Sequence, residues 1–213
     1  MKGQDILLLL KIHSVDVCSS AKRASNSYIA SLTERAGMAN VWEEELLNID
    51  DTFTDQIRDA NELSVRHLSW TTGISKSEIS NILHRSYKSG LAFKRSGTER
   101  PVINKKALRE FLAFGVKYVF PVEAGKITRG IPTAAYAPVM DEVILSLGDI
   151  PFVWPDPFGK VKGESIEPIY KTVPMAIKRD PVLYELLALL DVIRVGSVRE
   201  VPIAQKMLMD KLS

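Results

Sequence analysis

Val65-Arg66-His67-Leu68-Ser69-Trp70-Thr71-Thr72-Gly73-Ile74-Ser75-Lys76-Ser77-Glu78-Ile79-Ser80-Asn81-Ile82-Leu83 is the stretch from which the rest of the chain can be ordered. A short helix runs into a glycine, and a second helix starts two residues later. Gly73 stands where a left-handed backbone would end the first helix, a conformation that costs glycine least. Ser69 lies four residues earlier, where a crossing helix leaves room for a small side chain. Ile74 is apolar and sits between the helices as a plug. Ser75 followed by Glu78 has the spacing of a capping box. Ile79, Ile82 and Leu83 then fall on one face at helical spacing. The opposite face carries Lys76, Ser77, Ser80, Asn81, His84, Arg85 and Lys88, which are donors and short polar groups suited to base edges and phosphates.

The segment after the second helix narrows the reading. Leu91-Ala92-Phe93-Lys94-Arg95 alternates in character, Ser96-Gly97-Thr98-Glu99 makes a turn, and Arg100-Pro101-Val102-Ile103 can return as a second strand. A helix-turn-helix joined to a basic hairpin is the pattern of a winged helix, which sets its second helix in the major groove of DNA. A small helical hairpin with an ordinary apolar face, or a winged helix that binds only protein, would share part of the pattern.

From Leu63 to Ile103 the chain resembles bacterial winged-helix transcriptional regulators of the MarR type. The residues that carry the likeness are Leu68-Ser69-Trp70-Thr71-Thr72-Gly73-Ile74-Ser75-Lys76-Ser77-Glu78-Ile79-Ser80 and the Ser89-Gly90-Leu91 step into the hairpin. Met1 to Ile12 looks like the opening helix of such a domain. The resemblance implies that Ser75, Lys76, Ser77, Asn81 and Arg85 lie at the groove, and that Lys94, Arg95 and Arg100 serve the wing. It does not extend past residue 120, and a long stretch separates the first helix from the rest.

Charge is distributed in agreement with this reading. The net charge of the 213-residue chain is only +2. Residues 31–60 nevertheless hold eight acids against two bases, and residues 61–110 hold ten bases against four acids. The basic block coincides with the motif, where attraction to phosphate needs it. A solvated surface that merely happens to be basic is the other reading.

The expected fold class is mainly α with small β (α+β): a winged helix-turn-helix followed by a proline-rich and helical C-terminal region. Residues 1–120 would form the DNA-binding domain, with an acidic helical insert at about 14–62. Residues 121–213 would serve dimerisation, a partner or an effector. Gly3 to His13 is expected as a helix, and the serine-rich residues 14–27 as a loop. Short helices are expected at Tyr28–Arg35, Val41–Leu47 and Thr52–Leu63. Asn104 can cap a helix through Phe120, with Leu108, Phe111, Leu112, Tyr118 and Val119 on its apolar side and Gly115 leaving space for a neighbour. Nine of the eleven prolines lie between Pro121 and Pro181, so extended or looped backbone is expected there. Phe152-Val153-Trp154 and the following Pro155-Asp156-Pro157-Phe158-Gly159 suggest a strand and turn, in the form of a small hairpin ending at Val161. Asp180-Pro181 opens a helix so apolar on most sides that it must be buried, in this chain's core or a partner's. Val201 to Leu212 forms a last helix.

Other chemistries find little support. Cys18 is the sole cysteine and excludes a disulfide within the chain, as suits a cytoplasmic protein. The apolar run Ile6–Leu10 is too short to span a membrane, and Lys11 and His13 close it. His13, His67 and His84 lack ligand spacing with Cys18, and no histidine or cysteine follows residue 84, so no Cys/His zinc site, Ser-His-Asp triad or Cys-His pair can be built in the C-terminal half. Asp141-Glu142, Asp149 and Asp156 could suggest metal-assisted catalysis, but scattered acids on loops are more simply solvated surface. No phosphate-binding glycine loop or dinucleotide fingerprint occurs. Arg129-Gly130, in a segment expected to be a loop, suits either a rigid connector or an anion site. The expectation is therefore a non-enzymatic regulator with no cofactor, binding double-stranded DNA as a homodimer and acting most simply as a repressor. The DNA-contacting set would be Ser75, Lys76, Ser77, Ser80, Asn81, His84, Arg85, Lys88, Lys94, Arg95 and Arg100. The alternative is an antitoxin or adaptor whose winged helix and apolar C-terminal helices hold a protein partner.

Overall fold

Five consecutive apolar residues, Ile6 to Leu10, point in every direction around a helix, so that helix must be enclosed. In the computed structural model, which describes residues 1–24, 63–98, 100–141, 150–178 and 180–213, helix α1 (Gly3–Ala24) is fully covered along this run. Lys11 and His13 end the apolar run but not the helix. Both are buried, and the serine-rich residues from Ser14 onward, expected as a loop, continue the helix to Ala24. Tertiary partners remove the usual objection to polar residues inside a helix. Lys11 Nζ lies 2.7 Å from Asp180 Oδ2, and Ser14 Oγ donates to the same carboxylate. His13 Nε2 donates to the Lys211 carbonyl at 3.0 Å. The rest of the acidic insert, and the helices expected at 28–35, 41–47 and 52–63, lie outside the described residues.

Helices α2 (Val65–Thr72) and α3 (Lys76–Lys88) pack on α1, and strands β1 (Ala92–Lys94) and β2 (Pro101–Ile103) come next as an antiparallel hairpin with Phe93 opposite Val102. A longer helical segment succeeds the hairpin. Asn104 caps α4 (Lys105–Glu110) by accepting from the Ala107 N–H at 3.2 Å. A π-helical turn over Phe111–Gly115 links α4 to α5 (Val116–Val119). This wide turn inserts an extra residue into the repeat. The buried stripe therefore runs through Leu108, Leu112, Ala113 and Val116, while Tyr118 and Val119, expected in the core, face solvent. The space at Gly115 is taken by the ring of Phe111 from its own helix, not by another element.

The proline-rich region is more ordered than its composition suggests. The expected loop at Lys126–Pro132 is strand β3 (Ile127–Pro132), which pairs antiparallel with both β4 (Phe152–Pro155) and β5 (Val161–Ser165). The two strands at 152–165 are not a hairpin: they run parallel, Phe152 opposite Glu164, and close the small sheet on itself. Glycine makes so tight a closure possible. A Cβ on Gly130 would lie 2.1 Å from the Trp154 carbonyl oxygen, and one on Gly159 would meet the backbone of Gly130. Pro132 and Pro155 end their strands, where a missing N–H is tolerated.

Helix α6 (Val173–Ala176) leads to α7 (Pro181–Val195), against which α8 (Glu200–Lys211) packs. Asp180 caps α7 by accepting from the Leu183 N–H at 2.9 Å. The apolar sides of α7 are buried within this chain, so they offer no surface to a separate partner. Asp191 sits in that core and gathers three donors: Trp154 Nε1 at 2.6 Å, Thr133 Oγ1 at 3.0 Å and Arg194 Nη1 at 2.6 Å. Arg194 also donates to the carbonyls of Phe120 and Glu167. Burial pushes the Asp191 carboxyl above the usual carboxylate range, against the pull of Arg194. Buried residues of the N-terminal and C-terminal segments join in one contiguous core. The architecture is α+β, with most ordered backbone in helices. Among the described residues, no helix is long and apolar enough to cross a membrane.

Candidate nucleic-acid interface

The local signals around Gly73 form as the spacing requires. Ser64 caps α2, its hydroxyl accepting from the His67 N–H at 3.2 Å. Gly73 adopts φ 67° and its N–H returns to the Ser69 carbonyl at 3.0 Å. Ile74 is buried, and Ser75 Oγ accepts from the Glu78 N–H at 3.4 Å. The crowding at Gly73 has a source the sequence did not suggest. An added Cβ would lie 2.9 Å from Met175 Cε and 3.1 Å from Thr172 Cγ2, both from the C-terminal segment. Thr172 Oγ1 donates to the Thr72 carbonyl at 2.6 Å, fastening that segment to the turn.

Helix α3 divides cleanly into two faces. Ile79, Ile82 and Ser86 are buried, while Ser75, Lys76, Ser77, Ser80, Asn81, His84 and Lys88 are all exposed. The exposed residues form one strip along the helix, open to solvent over its whole length. Lys94 and Arg95 are exposed on the adjoining hairpin, where Arg95 N–H bonds the Arg100 carbonyl at 3.1 Å and Gly97 supplies a left-handed turn. Two large aromatic groups accompany these cations: Phe93 on β1 is 52% exposed and Trp70 on α2 is 45% exposed.

Two of the expected contact residues are engaged elsewhere. Arg85 leaves the outer strip and forks onto Asp5 of α1, with a third bond from Nη2 to Glu78 at 2.8 Å. These carboxylates, Asp5 above all, hold the Arg85 guanidinium still more firmly protonated than usual. Arg85 thus acts as a clamp between α1 and α3, and its planar fork is spent on carboxylate before any base edge reaches it. Arg100 bonds Asp16 of α1 at 2.8 Å and ties the hairpin to that helix. The capping box is only half made. Glu78 accepts from Arg85, Asn81 and Gln4 instead of reaching back to its cap, and the hydrogen bond from Arg85 is the main cause of its lowered pKa.

Sequence reasoning missed Gln4, Asp5 and Asp16 because their partners lie more than seventy positions away. The one available signal was Asp5 itself, a carboxylate next to five apolar residues, which needs a cation when buried. Among the described residues, no group of three or more histidine, cysteine, aspartate or glutamate side chains could hold a metal ion. No family model, curated protein or solved structure matches this chain.

Proposed function

We propose that this protein binds double-stranded DNA in a sequence-dependent manner and regulates transcription, most simply as a repressor, using α2, α3 and the β1–β2 hairpin as a winged helix. The observation that carries the reading is the uncovered strip on α3. Lys76, Ser77, Ser80, Asn81, His84 and Lys88 face water, and the cations Lys94 and Arg95 stand on the hairpin packed beside that helix. A helix whose outer face is polar, open and flanked by positive charge is suited to a major groove lined by phosphate. In this reading Asn81 is the base reader and Lys76, Lys88, Lys94 and Arg95 hold phosphates. Ser75 starts the helix, and Arg85 fixes its angle on α1.

Selection of bound sequences from a random duplex pool tests the proposal. An enriched motif whose recovery depends on Asn81 supports it. Equal retention of all sequences, or none at low salt, rejects it. An antitoxin or adaptor role is favoured by one observation, the exposed Trp70 and Phe93 beside the motif. A stoichiometric protein partner, with no duplex bound at low salt, would select that reading.

A further inference from the structure

The π-turn in the helix after the hairpin turns aromatic side chains outward. Tyr118 is 82% exposed and Phe114 60% exposed, although both belong to a helix whose other side is firmly anchored. Gln205 of α8 holds the Ala113 carbonyl at 2.7 Å, so the helix is fixed against the body of the protein. Along the outer side the order is Lys106, Glu110, Phe114, Lys117 and Tyr118, all exposed.

We propose that this outer stripe of α4–α5 is the two-fold contact between two copies of the chain. The charge order points to a second copy and to an antiparallel arrangement. With a two-fold axis near Phe114, the aromatic residues of the two helices meet at the centre. Glu110 of each copy then faces Lys117 of the other, giving two equivalent ion pairs, as an isologous interface requires. A parallel arrangement would set like charges together. Glu110 and Lys117 lie seven residues apart on the same side of the helical segment, and among the described residues they do not pair with one another. Among the described residues, neither makes an ion pair. The alternative surface, the apolar α7, is consumed in the chain's own core. The helical segment from Lys105 to Val119 is roughly 22 Å long. That is short for a standard interface, so the dimer dissociates on dilution.

Sedimentation velocity on the full chain without nucleic acid tests this separately from DNA binding. The wild-type mass is expected to rise toward twice that of the chain with concentration. Phe114→Glu should weaken association about tenfold or more. Glu110→Lys and Lys117→Glu should each weaken it, and the double variant should restore it, because exchanging both charges recreates the pairs. That recovery cannot come from a fold defect, so the charge series decides the matter even if Phe114→Glu misfolds. A monomer at every concentration, a dimer indifferent to Phe114→Glu when that variant is folded, or a double variant no better than the single ones overturns the proposal.

Discussion

Arg85 on α3 grips Asp5 on α1 with two hydrogen bonds, Nη2 to Oδ1 at 2.6 Å and Nε to Oδ2 at 3.2 Å. The Asp5 carboxylate is buried, whereas the Arg85 side chain is about one-third exposed. The pair sets the rotation of the proposed reading helix about its own axis. Arg85→Ala would leave Asp5 without its cation and should destabilise the fold by roughly 2–3 kcal/mol, below the cost for a fully buried pair because water reaches one partner. Denaturant unfolding measures this. A loss under about 0.5 kcal/mol would mean that the fork does not anchor the helix.

Asn81 donates to Glu78 at 3.2 Å and leaves its amide oxygen unused in that bond. If it reads a base, Asn81→Ala should reduce discrimination between the selected site and a mismatched one by about 1–3 kcal/mol while sparing nonspecific affinity. Competition binding with paired duplexes reports the difference. Unchanged discrimination removes Asn81 from the reading set.

Lys94 and Arg95 should act on every sequence alike. The double variant Lys94→Ala/Arg95→Ala is expected to flatten the slope of log affinity against log salt by about 2, one counterion contact for each cation. A salt titration on specific and random duplexes tests both the size and the uniformity of the change.

His13 is buried and, among the described residues, its Nδ1 has no hydrogen-bond partner. Burial is the main cause holding its pKa below the ordinary 6.5, with the Lys211 carbonyl pulling the other way. Below pH 6.5 the unfolded chain therefore binds a proton that the folded chain resists. Stability should fall as pH drops from about 6.5 toward the folded-state value, and His13 should have no effect above that window. Urea unfolding of wild type and His13→Gln at pH 8 and pH 5.5 checks the sign: the gap between the two pH values should narrow in the variant.

Asp191 binds Trp154, Thr133 and Arg194 in the core. Asp191→Ala would strand the buried Arg194, with only the Phe120 and Glu167 carbonyls left to it. The expected loss is roughly 3–5 kcal/mol, read from the unfolding midpoint.

The motif from Ser64 to Ile103 is readable in the sequence because its determinants are local. A cap, a left-handed glycine and an apolar stripe specify themselves within a few residues, as Ser75, Gly73 and Ile79 do. The enclosure of α7 is likewise implied by a helix apolar on most sides, though not what encloses it. Two features depend on distant partners, and a third on a change of helical repeat that simple periodicity does not show. Arg85 belongs to the polar face by periodicity, but a carboxylate eighty positions earlier draws it away. The strand at Ile127–Pro132 is made by pairing to β4 and β5, and its own proline and glycine argue against a strand. The π-turn at Phe111–Gly115 shifts the helical repeat, so a periodic projection places Tyr118 and Val119 on the wrong side.

The Asp180 carboxylate that starts α7 is also the partner of Lys11 and Ser14 in α1. The helix that supports the motif is thus neutralised by a residue from the far end of the polypeptide. A fragment trimmed to residues 1–120 would keep every side chain proposed to touch DNA, yet it would lose the carboxylate that pairs with Lys11 and open to water the apolar side of α1 that packs on α7. On these contacts the motif is expected not to behave as a detachable module, and it is best judged with the C-terminal segment in place.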